Sequence, residues 1–101
     1  MKFLRYVLDT RVNKKSLTSE LFLVQKLLKS NITRTGIYST KFGIKNIGIN
    51  DNESIVVEGM IKDKTLIECK TNLVQLKSEL KSLFSIEKVE EIMITTGDVL
   101  F

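Results

Sequence analysis

Few residues in this sequence have side chains suited to catalysis or metal binding, and none of them is a histidine. Histidine is the usual general base near neutral pH and the commonest protein ligand of zinc, copper and iron. The single cysteine, Cys69, has no histidine to activate it and no second cysteine to pair with. We therefore expect Cys69 to be a small buried hydrophobic residue.

Carboxylates are the remaining candidates for chemistry. Asp9 lies in an apolar segment and is the acidic side chain that we expect to be partly buried, in an ion pair or at a sheet edge. An enzyme acting through Asp9 or Glu58 would need a carboxylate with a perturbed pKa in a cleft. The other clustered acids suit an exposed face or a turn better than a cation site. They are Glu87, Glu90, Glu91, Asp51 and Glu53. We expect no enzymatic activity, no cofactor and no metal.

The charge of the chain is strongly asymmetric. Residues 1–50 contain ten basic and two acidic residues, a net charge of +8, whereas residues 51–101 contain six basic and ten acidic residues, a net charge of −4. A basic first half suggests an acidic partner, of which nucleic acid is the commonest. The alternative is a solvated surface on which the charges of the folded chain mix.

Residues 32–43 mix basic and aromatic side chains with two glycines. Single-stranded RNA is bound by this combination, because cations contact phosphate and rings stack on bases. A twisted connecting strand whose aromatic residues pack inward is the alternative. The candidate RNA contacts are Lys14, Lys15, Arg34, Tyr38, Lys41 and Lys45.

The first elements follow from hydrophobic patterning. Residues 2–12 are rich in aromatic and β-branched types and predict a central strand that is buried on both faces at one end. Ser16 then suits a helix N-cap, and a stripe of apolar residues predicts an amphipathic helix over residues 16–30. The stripe consists of Leu17, Leu21, Val24 and Leu28 and is broadened by Phe22, Leu23 and Leu27.

A β-hairpin is the clearest motif in the second half. Isoleucines at 44, 47 and 49 lead into the turn signal Asn50-Asp51-Asn52-Glu53, and residues 54–61 read as the returning strand. Gly48 and Gly59 are candidate bulge positions.

Residues 65–84 allow two interpretations. A leucine spacing of three and four fits one long helix, but Thr65, Ile67 and Cys69 are poor helix formers, and Asn72 with Gln75 resembles a capping box. We predict a strand over 65–70 and a helix over 72–84, with a single helix as the alternative. Residues 89–95 predict a closing strand, with an extension of the helix as the alternative.

These elements predict one α+β domain over residues 1–101, an antiparallel sheet with two helices on one face, ferredoxin-like or a close variant. The other sheet face then needs water, a partner sheet or a ligand, and small domains of this kind often dimerise. No stretch approaches the length of a membrane span, and the N-terminus lacks the features of a secretory signal, so we expect a cytoplasmic protein.

The segment Asn72-Leu73-Val74-Gln75-Leu76-Lys77-Ser78-Glu79-Leu80-Lys81-Ser82-Leu83-Phe84 resembles the helix of the small Pcc-type subunit of KEOPS, the complex that makes threonylcarbamoyl-adenosine in tRNA. Thr65–Lys70 would be that family's second strand. Lys77 replaces the usual arginine and Lys81 an asparagine that is often present. The strand–helix ending is also similar to that of a ribonuclease P protein subunit.

The Pcc-type resemblance implies a non-catalytic, dimerising subunit that docks a catalytic partner through its helix. We therefore expect a binding or dimerisation subunit of an RNA–protein assembly, which modifies tRNA or processes RNA. A protein–protein interaction or regulatory module, viral or cellular, with no nucleic-acid role is the alternative. The expected partner interface consists of Leu73, Leu76, Lys77, Leu80, Leu83 and Phe84.

Overall fold

A computed structural model describes residues 1–12, 23, 25–27, 29–30, 41–51, 54–84 and 86–100 of the chain. Its elements in chain order are the strands β1 (Lys2–Val12), β2 (Ile44–Ile49) and β3 (Ile55–Asp63), the helix α1 (Leu66–Phe84) and the strand β4 (Ile86–Asp98). Leu23, residues 25–27 and residues 29–30 are also helical. The stripe predicted over residues 16–30 lies largely outside the described residues.

The strands form one antiparallel sheet in the order β2-β3-β1-β4. β1 is central, as the sequence predicts, and β2 and β3 form the predicted hairpin. The fold is therefore α+β with a four-stranded antiparallel sheet, and its strand order is compatible with a ferredoxin-like variant. The closing strand is also confirmed, although β4 is longer than the sequence predicts.

One face of the sheet is the core side, which we call the helix face. Alternate residues of β1, namely Leu4, Tyr6, Leu8 and Thr10, are fully buried there. They pack with residues of β3 and with a seam of α1, whose buried members are Cys69, Leu73, Leu76 and Leu80. The interpretation of one end of β1 as buried on both faces is wrong, because Phe3, Val7 and Asp9 on the opposite face are only half-buried and Arg5 and Arg11 are exposed.

The strand predicted over residues 65–70 is wrong, since α1 begins at Leu66. Thr65 and Glu68 form a reciprocal capping box: the Glu68 amide donates to Thr65 Oγ1 at 3.2 Å, and the Thr65 amide donates to Glu68 Oε2 at 3.3 Å. This cap lies seven residues before the one predicted at Asn72. Burial of Cys69 and Leu73 on one helix stripe overrides the weak helix propensity of the segment.

The two glycines predicted as bulge positions differ. The pairing of β2 with β3 shifts register between Ile44 and Asn46, opposite Gly59 and Glu58. Lys45 is therefore the extra residue of a bulge beside Gly59, whereas Gly48 pairs regularly with Val56. The prediction is confirmed for Gly59 and wrong for Gly48.

In the part of the chain that the structure describes, no helix is long and apolar enough to cross a membrane.

Candidate nucleic-acid interface

The second face of the sheet, which we call the open face, has no described helix or strand packed against it. Because side chains alternate along each strand, the open face is formed by the residues between those of the core. It consists of Phe3, Arg5, Val7, Asp9 and Arg11 of β1, Val56, Glu58, Met60 and Lys62 of β3, Asn46 and Gly48 of β2, and Lys88, Glu90, Met93, Thr95 and Gly97 of β4.

A groove with a volume of about 340 Å³ lies in the open face. Its apolar lining is Val7, Met60 and Met93, and its polar lining is Arg5, Lys45, Asn46 and Glu58, completed by Tyr6 and Gly59. The strand register explains this grouping. Arg5 lies opposite Met60, and Val7 lies between Glu58 and Met93 on its two neighbouring strands. The volume is at the small end of ligand pockets and suits one flat ring.

The bulge in β2 brings a lysine to this groove. In a regular strand, Lys45 and Asn46 would point to opposite faces of the sheet, yet both line the groove. The extra residue at Lys45 removes that alternation, because a bulge redirects side chains locally. Lys45 at the bulge and Arg5 are therefore the two basic residues that line the groove.

Arg5 and Lys45 are exposed, and neither makes a hydrogen bond or an ion pair with another described residue. The acidic member of the groove is different, because Glu58 Oε1 accepts a hydrogen bond of 2.8 Å from Asn46 Nδ2. Lys62, also exposed, lies opposite Phe3 on the same face. Arg5, Lys45 and Lys62 are thus available to an anionic ligand, whereas Lys88 on the same face pairs with Glu90 at 2.8 Å.

An aromatic ring lies at one end of the open face. Phe3 pairs with Gly97, and a Cβ atom added to Gly97 would lie 2.8 Å from Phe3 Cε1 and 2.9 Å from Phe3 Cζ. The ring therefore covers Gly97 and is only half-buried. A partly exposed ring beside Lys62 has the composition of a base-stacking position.

The predicted RNA contacts lie in different parts of the structure. Lys45 lines the groove, whereas Lys41 is exposed with its Nζ 5.7 Å from the ring centroid of Phe42. Phe42 itself is fully buried, so at this residue the alternative of inward-packing aromatic residues is confirmed. Lys14, Lys15, Arg34 and Tyr38 lie outside the described residues.

The predicted partner interface lies mostly inside the domain. Leu73, Leu76 and Leu80 are buried against the sheet, which leaves their side chains no surface to offer a partner. Lys77 is half-buried, and its Nζ lies 2.6 Å from Glu91 Oε1. The side chains of Leu83 and Phe84 lie outside the described part of the chain. The apolar residues that α1 does expose, Ile67 and Val74, lie on its outer side.

Among the candidate catalytic groups, Cys69 lies in the core, whereas the carboxylates Asp9, Glu58 and Glu90 lie on the open face, with Asp9 opposite Glu90. Cys69 is fully buried, as predicted, and burial raises the pKa of its thiol. Asp9 is half-buried on the open face, and its Oδ1 is the one buried side-chain nitrogen or oxygen in the described residues without a hydrogen-bond partner. Glu91 and Glu90 pair with Lys77 and Lys88 respectively. Within the described ranges, no three acidic or cysteine residues lie close enough together to hold a metal ion.

Comparison of the chain with protein-family models, with curated proteins and with solved structures gave no match.

Proposed function

We propose that this chain is a non-catalytic, cytoplasmic subunit of an RNA–protein assembly and that it binds single-stranded RNA on the open face of its sheet. The groove supports this proposal most directly, because it combines an apolar floor with two cations that make no ion pair with any described residue. A nucleobase on Met60 and Met93 would leave its phosphates within the field of Arg5 and Lys45.

Single-stranded rather than double-stranded RNA fits the shape of this surface. The groove takes one flat ring, and Phe3 offers a second ring position further along β1. Bases of a duplex are stacked on each other and do not enter such a groove, whereas an unpaired strand splays its bases out. The two positions lie on one face of one strand, so a short stretch of chain spans both.

The ferredoxin-like plan is part of the proposal. In that plan a second helix covers the same sheet face as α1 and leaves the opposite face open. One contact brings the helical residues near position 25 to the sheet: Gln25 Nε2 donates a hydrogen bond of 3.0 Å to the carbonyl oxygen of Ile47 in the edge strand β2.

The proposed role in an assembly rests on the resemblance to Pcc-type subunits, and only part of that resemblance fits the structure. Of residues 65–70, which would be a strand in that family, Thr65 caps α1 and residues 66–70 form its first turn. The resemblance is therefore restricted to the remainder of the helix. Docking of a protein partner on α1 would involve its exposed side, with Ile67 and Val74, rather than the buried leucines.

Fluorescence anisotropy with a labelled, unstructured RNA of about ten nucleotides tests the RNA proposal. We expect the logarithm of affinity to fall against the logarithm of salt concentration with a slope of about −2, because roughly three cations contact phosphate and single strands release about 0.7 counterions per contact. Between 50 and 200 mM salt the affinity should fall about 20-fold. Binding that does not change over this range would overturn the proposal.

A matched set of variants locates the surface. Arg5→Gln and Lys45→Gln each remove one positive charge from the groove, and each should weaken binding roughly fivefold and reduce the salt slope. Lys70→Gln removes the same charge from the exposed surface of α1 and should leave the affinity unchanged. Equal losses in all three variants would indicate attraction to net charge alone and would count against a site on the open face.

A further inference from the structure

The edge strand β4 carries an apolar surface that the domain leaves exposed. β4 is the longest strand, with 13 residues, and the sheet order places it at one edge. Ile92, Met93 and Ile94 are consecutive and have exposed fractions of 58%, 45% and 37%. Long edge strands with exposed apolar residues readily pair with another strand.

The backbone of β4 has hydrogen-bonding groups directed away from the sheet. The Val99 amide donates a hydrogen bond of 2.8 Å to the carbonyl oxygen of Met1, and the register with β1 is regular between Met93 and Asp98. Because backbone groups alternate in direction along an antiparallel ladder, those of Ile94, Thr96 and Asp98 point outward. No described residue pairs with them along this edge.

The opposite edge of the sheet, formed by β2, is protected against pairing with another strand. β2 has only six residues, contains the bulge at Lys45, and has its Ile47 carbonyl oxygen bonded to Gln25. Short strands, bulges and side-chain cover are common ways in which proteins block edge pairing. β4 is bulged as well, at Ile92, where the register with β1 shifts between Met93 and Glu91. Residues 93–97, however, pair regularly with β1 and contain no charge and no proline.

We propose that two copies of this chain pair through β4 in an antiparallel arrangement, with the twofold axis at Thr95. Ile94 of each copy then lies opposite Thr96 of the other, and Met93 lies opposite Gly97. A closed twofold contact of this kind uses the same surface on both chains. The joined sheet has eight strands and no exposed pairing groups along residues 94–96.

The charges of β4 do not oppose a second copy in this register. All four charged residues of its first half, Glu87, Lys88, Glu90 and Glu91, precede the uncharged stretch. An antiparallel pairing centred on Thr95 places the acidic segments that precede Ile92 at opposite ends of the contact. The remaining charged residue of β4, Asp98, is ion-paired with Lys2 and lies opposite Ile92 of the other copy. Like charges directly opposite each other would destabilise the pairing. This inference does not depend on RNA binding.

Sedimentation velocity over 2–200 μM protein tests the pairing. We expect a dimer that dissociates on dilution. Thr96→Pro removes an outward amide without removing a hydrogen bond to β1, and should lower the dimer affinity at least tenfold, whereas Thr96→Val keeps the amide and should leave the dimer intact. Ile67→Lys changes an exposed apolar residue on α1 and should have no effect. A wild-type monomer at every concentration, or dissociation caused by Ile67→Lys, would overturn the proposal.

Amide hydrogen exchange of the wild-type protein gives a second test that does not depend on the folding of the proline variant. The amides of Ile94 and Thr96 should be protected at 200 μM and exchange rapidly at 2 μM, whereas that of Thr95, which faces β1, should be protected at both concentrations. Rapid exchange of Ile94 and Thr96 in a dimeric sample would show that the contact lies elsewhere.

Discussion

The phenol oxygen of Tyr6 donates a hydrogen bond of 2.7 Å to the backbone carbonyl oxygen of Phe42, at the point where the chain enters β2. Both residues are fully buried. The bond joins the central strand β1 to the segment that begins the hairpin, 36 residues later. Gly59 lies beside it, and a Cβ atom there would approach Tyr6 Oη to 2.5 Å. The buried phenol of Tyr6 thus links the central strand β1 to the start of the β2–β3 hairpin.

Replacement of Tyr6 by phenylalanine should destabilise the domain by about 1–2 kcal/mol, because the carbonyl oxygen of Phe42 loses its buried donor while the ring remains. Urea unfolding followed by circular dichroism measures the change. A variant as stable as the wild type would show that the bond contributes nothing.

The same tyrosine should make stability depend on alkaline pH. Burial raises the pKa of Tyr6 above its ordinary value near 10. The contribution of Tyr6 to the free energy of unfolding is complete below pH 10. Above pH 10 the unfolded chain ionises while the folded phenol stays protonated, so the free energy of unfolding should fall by about 1.4 kcal/mol per pH unit. The difference between wild type and Tyr6→Phe, measured from pH 8 to 11, should shrink above pH 10. A constant difference would contradict this.

Gly43 should tolerate no side chain. The backbone φ of Gly43 is +57°, and the carbonyl oxygen of Gly43 accepts a hydrogen bond of 3.0 Å from the Met60 amide in β3. A Cβ atom added to Gly43 would lie 1.8 Å from the carbonyl oxygen of Met60. Gly43→Ala should cost about 3 kcal/mol or more. Gly48→Ala is the matched control, since no atom lies within 4 Å of its Cβ position, and thermal unfolding should show little change. Equal melting temperatures for the two variants would refute the strain at Gly43.

The contribution of the capping box at the start of α1 to the free energy of unfolding should be measurable. Thr65→Ala removes the hydroxyl that accepts from the Glu68 amide and should lower the free energy of unfolding by about 1 kcal/mol. Thr65→Ser keeps the hydroxyl and should restore most of the stability. If chemical denaturation finds serine and alanine equivalent, the cap has no energetic role.

Much of the sheet could be predicted from the sequence, because alternation and the Asn50–Glu53 turn signal are local patterns. The start of α1 could not. Thr65, Ile67 and Cys69 suggest a strand by propensity, and the capping pair of Thr65 and Glu68 gives a helix only when the stripe beginning at Cys69 has a sheet to pack against. Tertiary packing therefore determines that this segment is helical rather than extended.

The candidate site was predicted only in part. The charge of Lys45 predicts a phosphate contact, but the bulge at Lys45 depends on pairing with β3, which local sequence does not specify. Arg5 is not among the contacts that the sequence predicts, although its alternation with Phe3 and Val7 in β1 places it on the side away from Leu4 and Tyr6. Met60 and Met93 come from strands far apart in sequence, and only the topology brings them together.

Binding of RNA to the open face is tested most directly by an NMR titration of the ¹⁵N-labelled protein with an unstructured RNA of about ten nucleotides. We predict saturable shifts of the backbone amides of Arg5, Val7, Met60 and Met93, with Ile67 and Val74 on the outer side of α1 unaffected. Shifts confined to α1, or no shifts at RNA concentrations that saturate the anisotropy signal, would contradict the proposed interface.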